Sequence, residues 1–100
     1  MKIILVCSAG MSTSLLVNKM RAEAEKRNLE ATIEAVPESQ LKNNLDGLDV
    51  VLIGPQVRYL EKKIRELAEP KGIKADVIDT KAYGLMQGDK VLDQAIELSQ

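Results

Sequence analysis

The sequence predicts an α/β fold: a four-stranded parallel sheet in the order 2-1-3-4, with helices on both faces. Three observations carry that prediction. Residues 3–6 (Ile-Ile-Leu-Val) and 50–53 (Val-Val-Leu-Ile) are apolar at every position, the mark of strands covered on both faces. Helical periodicity alternates with strand-like runs along the whole chain, with no repeat, linker or low-complexity tract, which is the pattern of strands joined by right-handed crossovers. Four strands wound this way place a topological switch point at the carboxyl ends of strands one and three, so the segments that begin at Cys7 and at Gly54 should meet there.

In order, residues 3–6 form strand one. Residues 13–27 read as a helix with Leu16, Val17, Met20 and Ala24 on one side and Lys19, Glu23, Lys26 and Arg27 on the other; Ser12 is its expected N-cap and Asn28 its close. Residues 31–36 alternate with period two as an edge strand, which Pro37 stops. Leu41, Leu45 and Leu48 have helical spacing, diluted by Asn43, Asn44 and Gly47, so 38–48 reads as a short helix. After strand three and Gly54-Pro55, residues 56–68 are strongly amphipathic, with Val57, Leu60, Ile64 and Leu67 inward, until Pro70 and Gly72 end the helix. Residues 73–78 make strand four, 79–84 a loop or short helical turn, and 89–99 a last helix with Val91, Leu92, Ala95 and Ile96 facing the core.

Composition excludes several mechanisms. The 100 residues contain one cysteine and no histidine, so neither a Ser-His-Asp nor a Cys-His relay is available, and a zinc site would have only carboxylates and one thiolate to use. A metal site and a resident cofactor are therefore not expected. One cysteine forms no internal disulfide, which fits a reduced cytosolic compartment. A balance of 14 Lys+Arg against 15 Asp+Glu, with 2% aromatics, argues against nucleic-acid binding. The longest apolar run, 3–7, is far too short to cross a bilayer or act as a signal segment, so a soluble protein that keeps its N-terminus is expected, as one domain over residues 1–100.

The chemistry sits in the loop after strand one, Cys7-Ser8-Ala9-Gly10-Met11-Ser12-Thr13-Ser14. Gly10 permits positive φ, so that successive N–H groups can curl into a nest, and the following helix adds unpaired donors and the positive end of its dipole. Ser8, Ser12, Thr13 and Ser14 supply hydroxyls that donate to an anion without adding charge. Donors of that kind favour the thiolate, the attacking form of cysteine. A lone cysteine ending an apolar strand is ordinarily a small core residue. A Gly-containing, hydroxyl-rich turn directly after it is hard to explain as packing, and that makes Cys7 a candidate nucleophile.

Residues 3–16, I-I-L-V-C-S-A-G-M-S-T-S-L-L, resemble the N-terminal phosphorylation loop of the enzyme IIB component of the bacterial sugar phosphotransferase system, lactose/cellobiose (or lactose/chitobiose) family. The likeness runs through the chain, including V-V-L-I-G-P-Q at 50–56 and Tyr83-Gly84. It implies a cytoplasmic subunit, held at the inner face of the membrane through a partner, whose cysteine takes a phosphoryl group from a phosphohistidine of IIA. The group then passes to a sugar, of cellobiose/chitobiose type, bound by the membrane protein IIC. Carried over residue by residue, Cys7 is the phosphocysteine, and Ser8, Ala9, Gly10, Met11, Ser12, Thr13 and Ser14 hold the phosphate. The same implication names no nucleic acid and no direct membrane insertion.

The loop also resembles that of low-molecular-weight tyrosine phosphatases, whose pattern is Cys, five residues, Arg, Ser/Thr. Here Thr13 occupies the arginine position and Ser14 follows it. A guanidinium would clamp the transferring group bidentately; neutral donors suit a carrier that must let it go. A phosphatase or arsenate-reductase-like enzyme is thus the competing reading, and a flavodoxin-like phosphate-binding module a third, poorly served by two tyrosines.

Other residues have two readings each. Met11 offers an adaptable docking contact or folds onto the core. Gln56 could lay its amide beside the phosphate, although Gly54 and Pro55 are explained by a strand-to-helix turn. The Tyr83 phenol could reach the loop or pack at the surface, Tyr59 is expected to pack, and Asp79 either imitates the phosphatase acid or, as the better reading, caps the turn 80–84.

Overall fold

The computed structural model describes residues 1–7 and 11–100; Ser8, Ala9, Gly10 and the side chains of Met11 and Ser12 lie outside the described set. Strands β1 (Lys2–Cys7), β2 (Thr32–Pro37), β3 (Val50–Ile53) and β4 (Lys74–Val77) form a sheet in the order β2-β1-β3-β4. Every pairing is parallel, with Val6 beside Ile53, Ile53 beside Val77, and Cys7 beside Pro37. The 2-1-3-4 expectation is met.

The unbroken apolar runs have the cause expected of them. Ile3, Ile4, Leu5 and Val6 are all 0% exposed. Because side chains alternate along a strand, Ile3 and Leu5 enter one core with Leu16, Met20, Val91 and Leu92, while Ile4 and Val6 enter a second with Leu41, Val57, Ile64 and Ala68. The first core lies under helices α1 (Met11–Lys26) and α4 (Gly88–Ser99), the second under residues 38–45 and α2 (Glu61–Ala68).

Helix α1 begins two residues earlier than its apolar face suggests, so Ser12 lies in the first turn and is not the N-cap. Its other end follows the sequence. Asn28 adopts φ 55°, and Leu29 N–H donates back to the Ala24 carbonyl at 2.8 Å, closing the helix with a left-handed residue. Arg27 then ties α1 to α4 by bonds to Glu23 and Asp93, both 2.7 Å, and these two carboxylates raise its guanidinium above the usual arginine value. The two helices meet closely at Gly88, where a Cβ would lie 2.8 Å from the Lys19 carbonyl carbon.

Two helices depart from expectation. Residues Glu38–Asn44 form a 3₁₀ run, although Leu41, Leu45 and Leu48 are buried as predicted. Asn44 supplies a reason: its side-chain amide donates to the Gln40 carbonyl at 2.8 Å, the acceptor an α-helix would reserve for a backbone N–H. The predicted helix 56–68 is divided into a 3₁₀ run, Pro55–Leu60, and α2. Val57 departs from helical geometry (φ −121°, ψ 29°) as its side chain turns into the core and its N–H bonds the Gly54 carbonyl at 2.9 Å. In consequence Tyr59 is 76% exposed and does not pack.

Strand β4 is one residue shorter at each end than 73–78, yet Ile73 and Ile78 are buried and Ile78 N–H still bonds the Ile53 carbonyl at 2.8 Å. Asp79 caps α3 (Thr80–Gly84), its carboxylate accepting from Ala82 N–H at 2.9 Å. No described helix is long and apolar enough to cross a membrane.

Candidate functional site

Strand register puts Cys7 one residue past the row Val6–Ile53–Val77, at the carboxyl end of the central strand. Its side chain is 5% exposed and its thiol is free. Gly54 N–H donates to the Val6 carbonyl at 2.9 Å, so the segments leaving β1 and β3 adjoin at the switch point as predicted. Only a residue without a side chain fits this approach well: a Cβ on Gly54 would lie 3.2 Å from that carbonyl oxygen and 2.8 Å from Oε1 of Gln56.

Helix α1 starts at Met11, four residues after Cys7, and has no acidic residue in its first turn. The positive end of the helix dipole therefore meets no carboxylate of its own first turn. Thr13 is in that first turn and is 2% exposed; among the described residues it is the polar side chain that joins the buried set. Its Oγ1 lies 3.2 Å from the Tyr83 hydroxyl, which in turn accepts from Nε2 of Gln56 at 2.8 Å.

Three residues distant in sequence thus form one hydrogen-bonded chain, from an exposed amide at the rim to a buried hydroxyl beside the loop. Each is held from behind. Gln56 follows the Gly54–Val6 contact. Tyr83 rides on α3, whose N-terminus is fixed by the Asp79 cap and by Gln94 of α4: the Gln94 side chain accepts from Asp79 N–H at 3.0 Å and donates to the Val77 carbonyl at 2.8 Å. Asp79 is therefore a cap, as the better of its two readings held.

Of the predicted site residues, the structure brings together Thr13, Gln56 and Tyr83. Ser14 is exposed on the flank of α1, beside a shallow groove shared with Asn18, Arg21 and Glu34. The expectations for Ser8, Ala9 and Gly10, and for the side chains of Met11 and Ser12, lie outside the described residues. Sequence reasoning missed Gln94. That the Tyr83 phenol could reach the loop was one of its two readings, taken from the position of a tyrosine following strand four, and among the described residues Thr13 Oγ1 is a loop atom it meets.

The family description "PTS system, Lactose/Cellobiose specific IIB subunit" matches residues 2–94. The chain belongs to this IIB family. A curated relative, the oligo-beta-mannoside-specific EIIB component of Bacillus subtilis (strain 168), is 44% identical over 97 residues, covering 97% of this chain and 94% of that protein. The solution structure of a cellobiose-specific phosphotransferase IIB component protein from Borrelia burgdorferi superposes with a TM-score of 0.81 at 48% identity, over 98% of this chain and 90% of the other. A lactose-specific IIB domain from Streptococcus pneumoniae gives a TM-score of 0.89 at 19% identity, covering 100% of this chain and 98% of its own; it supports the fold alone. As a IIB-family protein, the chain is a component of a sugar phosphotransferase system.

Proposed function

We propose that Cys7 is the phosphoryl carrier of this IIB subunit. The observation that carries the reading is a free thiol at the carboxyl end of the central strand, just before a helix, α1, whose first turn holds no acidic residue. In the first step the Cys7 sulfur attacks the phosphorus of a IIA phosphohistidine; the N–P bond breaks as the S–P bond forms, and the imidazole nitrogen keeps the electron pair and takes up the proton the thiol gives up. In the second, a hydroxyl of a sugar held by IIC attacks the same phosphorus as the S–P bond breaks, and the proton the hydroxyl gives up returns to the departing sulfur, which regenerates the Cys7 thiol.

This chain's contribution is positioning and charge stabilisation, the larger part of phosphoryl-transfer catalysis. The backbone N–H groups at residues 8–14 and the hydroxyls of Ser8, Ser12, Thr13 and Ser14 hold the phosphoryl oxygens, and Ala9, Gly10 and Met11 complete the loop. Gln56 and Tyr83 are auxiliary. Thr13 in place of a guanidinium favours handing the group on over hydrolysing it. The chemistry calls for no metal or cofactor. We take residues 1–100 as one IIB domain, cytoplasmic and brought to the inner membrane face by IIC. The sugar is of the cellobiose/chitobiose type, in keeping with the solved relative named cellobiose-specific.

The test mixes the protein with phosphoenolpyruvate, the general phosphotransferase proteins and candidate IIA proteins, and follows intact mass. One phosphoryl adduct is expected on the wild type and none on Cys7→Ala. An adduct that persists without the thiol, or one that never forms with any IIA tried, overturns the assignment. Transfer onward to radiolabelled cellobiose by IIC-containing vesicles identifies the sugar class.

A further inference from the structure

We propose that Tyr83 is a positioning residue that acts through Thr13, and that Gln56 fixes Tyr83 in turn. The proposal deepens the phosphocysteine function and rests on it. Four observations carry it. Thr13 is in the first turn of α1 and is buried, whereas the next core residue of that helix, Leu16, comes almost one turn later. What holds Thr13 therefore holds the first turn, the part of the helix whose N–H groups point toward its positive end. The Tyr83 hydroxyl is bonded to Thr13 Oγ1 at 3.2 Å and to Gln56 Nε2 at 2.8 Å. Tyr83 itself stands on a five-residue helix clamped at its start by Asp79 and Gln94. Finally, Gly54 keeps a close backbone approach that any side chain there would press against Gln56.

The brace runs across the carboxyl end of the sheet, from the segment after β3 through α3 to the start of α1. A displacement of about half an ångström in the first turn is enough to spoil donor geometry at a transition state. In this role Tyr83 acts by fixing where the first turn of α1 stands, through its bond to Thr13.

Single-turnover phosphorylation by a phosphorylated IIA, followed by intact mass over a range of IIA concentrations, tests this. Tyr83→Phe and Gln56→Met should each lower the maximal rate about five- to tenfold, the worth of one net hydrogen bond, with the half-saturating IIA concentration unchanged. Thr13→Val should slow the reaction at least as much, Thr13→Ser should retain most of the rate, and the ³¹P shift of the phosphocysteine should move in Tyr83→Phe. The double variant Thr13→Val/Tyr83→Phe should be no slower than Thr13→Val alone, within about twofold.

Losses that multiply in the double variant would mean that Tyr83 acts independently of Thr13, and would overturn the proposal, as would unchanged rates in both Tyr83→Phe and Gln56→Met. Should Thr13→Val fail to fold, Thr13→Ala takes its place in the cycle with Tyr83→Phe, and the pair Tyr83→Phe/Gln56→Met tests the outer link, with non-multiplying losses expected in both and multiplying ones fatal. Failure of the function itself looks different: the wild-type protein takes no phosphoryl group, and the brace falls with it.

Discussion

Replacing Gly88 with alanine should destabilise the protein and disturb the site from a distance. The added Cβ would stand 2.8 Å from both the carbonyl carbon and the Cβ of Lys19, and 2.9 Å from the Met20 nitrogen. Backbone atoms within a helix cannot swing aside, so α1 and α4 must separate where Leu16, Met20, Val91 and Leu92 share a core. Overpacking of this kind costs about 1–3 kcal/mol, less a few tenths recovered from the better helix propensity of alanine. For a domain of about this size each kcal/mol is worth roughly 4–8 °C, giving a fall in Tm of roughly 5–20 °C. Lys19 stands about 12 Å along the helix from Met11, so a tilt there is carried to the first turn. Urea and thermal unfolding followed by far-UV circular dichroism measure the stability, with Gly84→Ala as control: nothing lies within 4 Å of the Cβ it would add. That control should be neutral or stabilise by up to about 1 kcal/mol. If Gly88→Ala matches wild type, or if both variants fall equally, the close-approach reasoning is wrong.

Gln94→Ala removes the partner of Asp79 N–H and of the Val77 carbonyl and should cost about 0.5–1.5 kcal/mol in urea unfolding, together with a slower Cys7 phosphorylation because α3 loosens; a neutral effect on both would show that the clamp is idle. Gly54→Ala should displace the Gln56 amide and slow transfer to the level of Gln56→Met, with no further loss when the two are combined; a double variant much slower than either single one would disprove the displacement. Thr13→Arg should shorten the lifetime of the phosphocysteine on the order of tenfold, read by intact mass over time, and an unchanged lifetime would refute the link between the neutral loop and carrier behaviour.

The legible parts of the fold were those written as local patterns. The runs at 3–6 and 50–53 announced buried parallel strands because both faces of the sheet are covered, and the same two strands located the switch point. The illegible parts came from specific competition. Leucine spacing at 41, 45 and 48 reports burial and not helix type; the run is 3₁₀, and at its end the Asn44 side chain competes for the Gln40 carbonyl. Val57 fitted a helical stripe, yet it reaches the core by leaving helical geometry, and Tyr59 is turned outward as a result. At the site, the strand-loop-helix grammar marked Cys7 and Thr13. The bonds that join Thr13 to Tyr83 and Tyr83 to Gln56 span 70 and 27 residues, beyond the reach of any periodicity.

The two sides of the sheet have separate cores, and the hydrogen-bonded chain draws on both. Gln56 lies on the segment leading into α2, which packs on one face, while Tyr83 packs against the core under α1 and α4 on the other. A transplant of residues 7–14 alone into another α/β scaffold would carry the proposed nucleophile and leave the hydrogen-bonded support of Thr13 behind. A working graft needs three pieces cut from both layers, 7–14, 54–56 and 79–83, with the sheet thickness between them preserved.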